Sequence, residues 1–156
     1  MVIAIDGPSG SGKTRLAREV APAIDAVILH LDDIYRGWDG LAEAPAVVAQ
    51  EVLEPIARGE PGRTARWEWG ANGPGVDIVV PPPEVLILDG CGSGSRIIRP
   101  WLSYLIWMDA PIEARRERAM ARDGQTYENW WDMWAAQERD LFAAEGTPAA
   151  ADIRLT

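Results

Sequence analysis

Residues 7–14 read Gly-Pro-Ser-Gly-Ser-Gly-Lys-Thr, which matches the pattern G-x-x-x-x-G-K-[ST]. The stretch stands between an apolar run, Val2–Asp6, and a segment with helical periodicity, Lys13–Ala23. A strand, a glycine-rich loop and a helix in this order place backbone N–H groups and the positive end of the helix around a phosphate. A dinucleotide-binding pattern fits less well, because no third glycine follows Gly10 and Gly12 at the required position. The sequence therefore predicts a loop that binds the phosphates of a nucleotide.

The chemistry of such a loop assigns roles to its residues. The Lys13 side chain would reach the β- and γ-phosphates, and the Thr14 hydroxyl would ligate Mg²⁺. Lys13 is the only lysine among 15 Lys and Arg residues. A drift of composition toward arginine explains the other basic positions, but not why the exception falls where a compact ammonium is required. The predicted nucleotide-binding residues are Gly7, Ser9, Gly10, Ser11, Gly12, Lys13 and Thr14.

Composition excludes several other classes of protein. A length of 156 residues fits one domain, and the single cysteine (Cys91) excludes a disulfide scaffold and a multi-cysteine zinc site. The single histidine (His30) excludes Ser-His and Cys-His catalysis unless His30 itself carries it. A net charge of −9 argues against nucleic-acid binding. The sequence shows neither a membrane-length apolar run nor a signal peptide, so we expect a soluble cytoplasmic protein. A homo-oligomer is compatible with the sequence, and we interpret Cys91 and His30 as packed residues.

Alternating strand and helix patterns predict an α/β fold with a parallel sheet. The predicted strands are Val2–Asp6, Ala26–Leu31, Val85–Leu88, Leu105–Met108 and Asp152–Leu155, and the predicted helices are Lys13–Ala23, Ala46–Arg58, Ile112–Arg122 and Tyr127–Ala144. Residues 63–80 alternate about the turn-rich GANGPG, which indicates an antiparallel hairpin. We therefore expect a single domain over residues 1–156, with residues 60–83 as a substrate-side hairpin insertion and residues 112–126 as a lid-like segment.

Several apolar runs lead directly into an aspartate. Because the carboxyl ends of parallel strands form the ligand crevice of an open sheet, we expect these acids to gather there. Asp32 would accept the proton of an attacking hydroxyl or help hold Mg²⁺, although a helix cap or turn is the alternative. Asp89 ends VLILDG, the pattern of a magnesium-binding acid, with a turn residue before Gly90 as the alternative. The predicted metal ligands are Thr14, Asp32 and Asp89.

Arginines recur on one face of the predicted helix over residues 112–122. Arg115, Arg118 and Arg122 are spaced i, i+3 and i+7, and such residues neutralise charge on a transferring phosphoryl group. The alternative is a set of surface ion pairs with Glu113 and Glu117. We take the candidate catalytic residues to be Lys13, Asp32, Arg118 and Arg122.

Aromatic residues are candidates for the acceptor side. Trp130 and Trp134 share a face of the following helix with Glu138, and we interpret this face as core packing rather than a base-stacking surface. Trp69 lies at the hairpin, where an aromatic substrate wall and a packed residue are equally supported. The candidate acceptor contacts are Asp33, Tyr35, Arg66, Trp69 and Arg96.

Taken together, the motifs GPSGSGKT, LDDIY, LILDG and the arginine-rich helix resemble the uridine kinase-like branch of small P-loop kinases. The D-x-F-Y motif of that group is matched by residues 32–35, with Ile34 in place of the aromatic, and Asp89 replaces the usual glutamate before Gly90. The resemblance implies a three-layer α/β/α P-loop NTPase fold whose five-stranded parallel sheet has the order 2-3-1-4-5. It also implies ATP- and Mg²⁺-dependent phosphorylation of a nucleoside such as uridine or cytidine, with Asp32 as general base.

Two alternative functions remain open at this point. A nucleoside monophosphate kinase of the cytidylate type would need cations for the phosphate of its acceptor, whereas the end of the second strand offers two acids. A nucleotide-binding regulatory protein without transfer activity would share the phosphate loop but would need no acceptor site.

Overall fold

The centre of the molecule is a parallel sheet whose strand order follows the expected one. The structure is a computed structural model that describes residues 1–156, except for the side chains of residues 123, 125 and 126. Its strands are β1 (Val2–Asp6), β2 (Val27–His30), β3 (Gly62–Glu68), β4 (Gly73–Val80), β5 (Leu86–Asp89), β6 (Tyr104–Met108) and β7 (Ile153–Leu155). The sheet runs β2-β5-β1-β6-β7 with all four pairings parallel. Counted along the chain without the hairpin, this is the order 2-3-1-4-5, and the prediction is confirmed.

Helices cover both faces of this sheet. They are α1 (Lys13–Val20), α2 (Ala44–Val47), α3 (Glu54–Ala57), α4 (Ile112–Glu128), α5 (Trp131–Glu145) and α6 (Thr147–Ala150). One face buries Ile5 and Ile87 against Ala17 of α1. The other face buries Ala4 and Leu88 in the larger core, which includes residues of α2 and α5. The alternation along each strand therefore produces the three layers. None of the described helices is both long and apolar enough to cross a membrane.

The predicted helices differ from the structure in their boundaries. The segment predicted as one helix over Ala46–Arg58 is α2, a π-helix (Val48–Leu53) and α3 in succession. Pro55 has no N–H to donate to residue 51, and the Glu54 N–H instead reaches the Ala49 carbonyl five residues back. Helix α4 continues to Glu128 across Gly124, whose φ of 64° and ψ of −151° are non-helical. Helix α5 consequently begins at Trp131 instead of Tyr127.

The predicted hairpin is present as a separate two-stranded sheet. Strands β3 and β4 pair antiparallel, with an irregularity in register between Ala65 and Trp67. The register of the main sheet aligns Ile5 and His30 with Asp89 on the intervening strand. The ends of β1, β2 and β5 therefore meet at one edge, where the phosphate loop begins.

Candidate active site

The phosphate loop forms one wall of a small pocket at this edge. The pocket has a volume of about 140 Å³, and its lining includes Gly10, Gly12, Lys13, Thr14, Asp32, Gly90, Arg118 and Arg122. Gly12 is the N-cap residue of α1 in a left-handed conformation with φ of 104°, so the helix begins directly at the loop. The loop, one strand-end acid and both candidate lid arginines thus surround the same space.

Lys13 lies buried at the base of the loop. Its side chain is 8% exposed, and its Nζ donates to the Pro8 carbonyl at 3.0 Å and to Cys91 Sγ at 3.6 Å. Burial by itself lowers the pKa of Lys13, but the surrounding negative groups outweigh it and raise the pKa overall. Burial also raises the pKa of the Cys91 thiol well above its usual range, so this thiol is neutral at pH 7 and the carboxylates supply the effect.

Asp6 supports the loop from below. Its carboxylate is fully buried and accepts hydrogen bonds from the backbone N–H groups of Gly7, Gly92 and Gly94 at 2.7, 2.9 and 2.8 Å. Burial raises the pKa of Asp6 to about 6, although these hydrogen bonds and the charge of Lys13 oppose the shift. Asp6 therefore ties the phosphate loop to the loop that follows β5.

Asp89 is paired with His30 across neighbouring strands. Asp89 Oδ2 lies 2.7 Å from His30 Nδ1, and this hydrogen bond raises the pKa of His30 although burial opposes it. Asp89 is 2% exposed, and its Oδ1 has no hydrogen-bond partner among the described residues. The His30 side chain is 30% exposed, so it is partly packed, and it also lines the larger cleft described below. The register His30↔Asp89 explains the pair, and it cannot be inferred without knowing that β2 and β5 are neighbours.

Asp32 stands at the mouth of the phosphate pocket. Its side chain is 58% exposed, and Arg122 Nη1 lies 3.9 Å from Asp32 Oδ2. The indole of Trp69 donates to the Asp32 carbonyl at 3.1 Å, which brings the hairpin over the end of β2. Asp33 Oδ2 lies 3.5 Å from Arg66 Nη2, also on the hairpin.

Helix α4 lies over the phosphate loop. Arg115 donates to the Ser9 carbonyl at 3.4 Å, and Arg118 donates to the Gly10 carbonyl at 3.2 Å. Arg118 and Arg122 line the phosphate pocket. The structure thus brings these arginines to the loop, while their catalytic role stays a prediction.

An aromatic cleft adjoins the phosphate pocket. The cleft has a volume of about 920 Å³, and its aromatic lining is Tyr35, Trp38, Trp69, Tyr127 and Trp134. Trp38 contacts Trp69 with ring centroids 4.8 Å apart, and it stacks on Tyr127 at 5.4 Å. Trp134 is 4% exposed and meets Trp38 edge-on, so the face interpreted as core packing also forms part of this cleft. We call Trp38, Trp69, Tyr127 and Trp134 the aromatic wall.

Two of the candidate acceptor contacts, Tyr35 and Arg96, do not present their polar groups to the cleft. Tyr35 is 1% exposed, and its hydroxyl donates to the Cys91 carbonyl at 2.9 Å, so its hydroxyl is engaged within the protein although the ring borders the cleft. Arg96 is exposed and its backbone N–H donates to Glu145, outside the lining of the cleft. Asp33 and Trp69 line the cleft, and Arg66 reaches it through its ion pair with Asp33.

Glu138 is a site residue that sequence reasoning did not select. This α5 glutamate is 2% exposed, and its Oε1 accepts hydrogen bonds from the Ser9 N–H and the Trp134 indole, both at 2.8 Å. Cys91 Sγ donates to the same oxygen at 3.1 Å. The available signal was an acidic residue on the helical face of Trp134, since a charge on a buried face requires polar partners.

A phosphate loop at the carboxyl edge of a 2-3-1-4-5 parallel sheet, with arginines from a helix above it, defines the fold class of the P-loop kinases. Proteins of known structure share this fold class, and the resemblance drawn from the motifs is confirmed at the level of the P-loop kinase fold. No protein-family model matches the chain. The fold is similar to that of a possible uridine kinase from Bacillus stearothermophilus, with a TM-score of 0.68 and 16% identity over 100% of this chain and 88% of that one.

Two curated relatives are kinases with different acceptors. The chain is 26% identical over 136 residues to cytidylate kinase of Pyrobaculum islandicum, and the aligned region covers 83% of this chain and 64% of the relative. It is 29% identical over 130 residues to dephospho-CoA kinase of Xanthomonas axonopodis pv. citri, and this aligned region covers 72% of this chain and 58% of the relative. The chain therefore spans about three fifths of the length of these relatives.

Proposed function

We propose that the protein transfers the γ-phosphoryl group of ATP to a hydroxyl group of a small molecule. The observation that supports this most is that the phosphate pocket and the aromatic cleft are contiguous. Both are lined by Ser9, Thr14, Arg15, Asp32 and Arg122. A donor phosphate held by the loop would therefore face an acceptor in the cleft, which is the arrangement that in-line transfer requires.

The residues around the junction supply the chemistry. The loop and Lys13 would hold the β- and γ-phosphates, while Arg118 and Arg122 would stabilise the negative charge of the transition state. Asp32 lies on the linings of both cavities and would accept the proton of the attacking hydroxyl. Its exposure of 58% leaves the carboxylate accessible to an acceptor.

The donor set also fits Mg²⁺. Among the side chains described, no cluster of three His, Cys, Asp or Glu residues is arranged to hold a metal ion. Magnesium, however, keeps several waters and binds through one or two protein oxygens together with substrate phosphates. Thr14 on the pocket lining and the unpartnered Asp89 Oδ1 are oxygens of this kind, and Asp32 is a third. When bound, Mg²⁺ would neutralise charge on the phosphates.

For the acceptor we propose a nucleoside such as uridine or cytidine. Aromatic side chains line the cleft, among them Trp69, which is 39% exposed, and the motifs resemble those of uridine kinases. A second candidate is a nucleoside monophosphate, which the cytidylate kinase relative and the presence of Arg15 and Arg18 on the cleft lining favour. Arg15 is paired with Glu19 at 2.8 Å, and two aspartates line the same cleft, so the nucleoside is the better fit.

Replacement of the proposed base tests the reaction. In Asp32→Asn, turnover should fall by about 10²- to 10⁴-fold because proton acceptance is lost, while binding of a non-hydrolysable ATP analogue persists. Asp25→Asn is the control, since Asp25 is exposed and outside both linings. Unchanged turnover in Asp32→Asn would refute the assignment of the base. Analogue binding without phosphorylation of any nucleoside, nucleotide or sugar would instead favour a regulatory protein.

A further inference from the structure

Ser9 is the residue of the phosphate loop with contacts to both helices above it. Its N–H donates to Glu138 on α5, and its Oγ accepts from the Trp134 indole at 3.1 Å. Its carbonyl accepts from Arg115 on α4 at 3.4 Å. Ser9 also lines both the phosphate pocket and the cleft.

Glu138 joins this loop residue to the aromatic wall through one atom. The Glu138 Oε1 accepts from the Ser9 N–H and from the Trp134 Nε1–H at the same distance of 2.8 Å. The distance between the loop backbone and the Trp134 indole is therefore fixed by a common acceptor. Trp134 in turn packs edge-on against Trp38, with ring centroids 6.1 Å apart.

The carboxylate form of Glu138 is suited to this task. Hydrogen bonds to an ionised acceptor are shorter and about twice as strong as those between neutral groups. A buried carboxylate is stabilised only when its oxygens are supplied with donors, and here the loop, the wall and the Cys91 thiol supply them. A glutamine at this position would keep the shape and an acceptor oxygen but would weaken both bonds.

From these contacts we propose that Glu138 is a positioning residue that couples the nucleotide loop to the acceptor cleft. Ordering of the loop by nucleotide would, through Glu138 and Ser9, order Trp134 and the adjacent part of the aromatic wall. This inference rests on the proposed function, since it requires that a nucleotide binds to the loop. It assigns to α5 a role in acceptor positioning that the motifs do not indicate.

Hydrogen exchange with and without a magnesium-bound non-hydrolysable ATP analogue tests the coupling. In the unmodified protein, the analogue should slow exchange both in residues 7–14 and in residues 127–138. In Glu138→Gln, residues 7–14 should remain protected, whereas the slowing in residues 127–138 should be at least about threefold smaller. Asp140→Asn is the matched control, because it removes one negative charge from the same helix at a side chain that is 78% exposed.

A second variant and the opposite outcomes complete the test. Trp134→Phe retains an aromatic ring but removes the N–H that donates to Glu138 and Ser9, so it should reproduce the effect of Glu138→Gln. Protection of residues 127–138 that is unchanged in both variants would overturn the coupling. Equal loss of protection in both segments would also overturn it, because Glu138 would then only brace the loop. Absence of any protection of residues 7–14 in the unmodified protein would instead refute nucleotide binding itself.

Discussion

Replacement of Gly10 by alanine measures how closely helix α4 packs on the phosphate loop. Gly10 has φ of +77°, and an added Cβ would lie 2.1 Å from the Arg115 carbonyl oxygen and 2.7 Å from its carbon. These are backbone atoms of a helix, so they cannot turn aside as a flexible side chain can. Either the loop or α4 would have to move, which would displace the hydrogen bond from Arg118 to the Gly10 carbonyl.

The chain supplies a matched control for this change. Gly59 has φ of +79°, but an added Cβ there would have no atom within 4 Å. Gly59→Ala should therefore lower the free energy of unfolding by about 1–2 kcal/mol, which is the backbone strain alone. Gly10→Ala should cost the same backbone strain and, in addition, about 1–3 kcal/mol for the steric overlap. The difference between the two variants isolates the close approach.

Urea denaturation of both variants would give these free energies, and calorimetric titration with an ATP analogue would give the binding affinity. We expect Gly10→Ala to be the less stable variant and to bind the analogue at least about tenfold more weakly, while Gly59→Ala binds it normally. If Gly10→Ala were as stable as Gly59→Ala and bound the analogue equally well, the packing of α4 on the loop would be refuted.

Three further predictions concern single side chains. Burial raises the pKa of Asp6 to about 6, so the native state binds a proton at the Asp6 carboxyl more tightly than the unfolded chain does. The free energy of unfolding should therefore fall by up to about 3 kcal/mol as the pH rises from about 4 to about 6. Urea denaturation at several pH values should show that this loss of stability is missing in Asp6→Asn. The same dependence of the unfolding free energy on pH in both proteins would contradict the prediction. Lys13→Arg should abolish phosphoryl transfer, because a guanidinium does not fit the buried site 3.0 Å from the Pro8 carbonyl, and near-normal activity would contradict this. Trp69→Phe removes the donor to the Asp32 carbonyl but keeps a ring, so the acceptor KM should rise severalfold with little change in nucleotide affinity; steady-state kinetics would show an unaltered KM if the contact is unimportant.

The strands could be predicted from the sequence because their information is local, whereas their order was implied by the resemblance to uridine kinase-like P-loop kinases. Each buried strand is a short apolar run, and the motif at residues 7–14 fixes the first strand, loop and helix as one unit. The boundaries of the helices could be predicted less accurately. The interruption at Gly124 and the π-helix before Pro55 depend on backbone hydrogen bonding that apolar periodicity does not report.

The candidate site divides in the same way. The strand-end acids Asp32 and Asp89 follow from the geometry of a parallel sheet, and the structure places both at the expected edge. The partners of Asp89 and Ser9 could not be predicted, because His30 and Glu138 reach them across 59 and 129 residues of sequence. Periodicity shows that Glu138 shares a face with Trp134, but not which part of the chain covers that face.

Transfer of a labelled γ-phosphoryl group tests the central claim most directly. The protein would be incubated with Mg²⁺, γ-labelled ATP and, one at a time, nucleosides, nucleoside monophosphates and small sugars. We predict that the label appears in a phosphate ester of one acceptor, with uridine or cytidine as the expected class. Nucleotide that binds while its label remains on ATP, or appears only as inorganic phosphate with every acceptor, would contradict it.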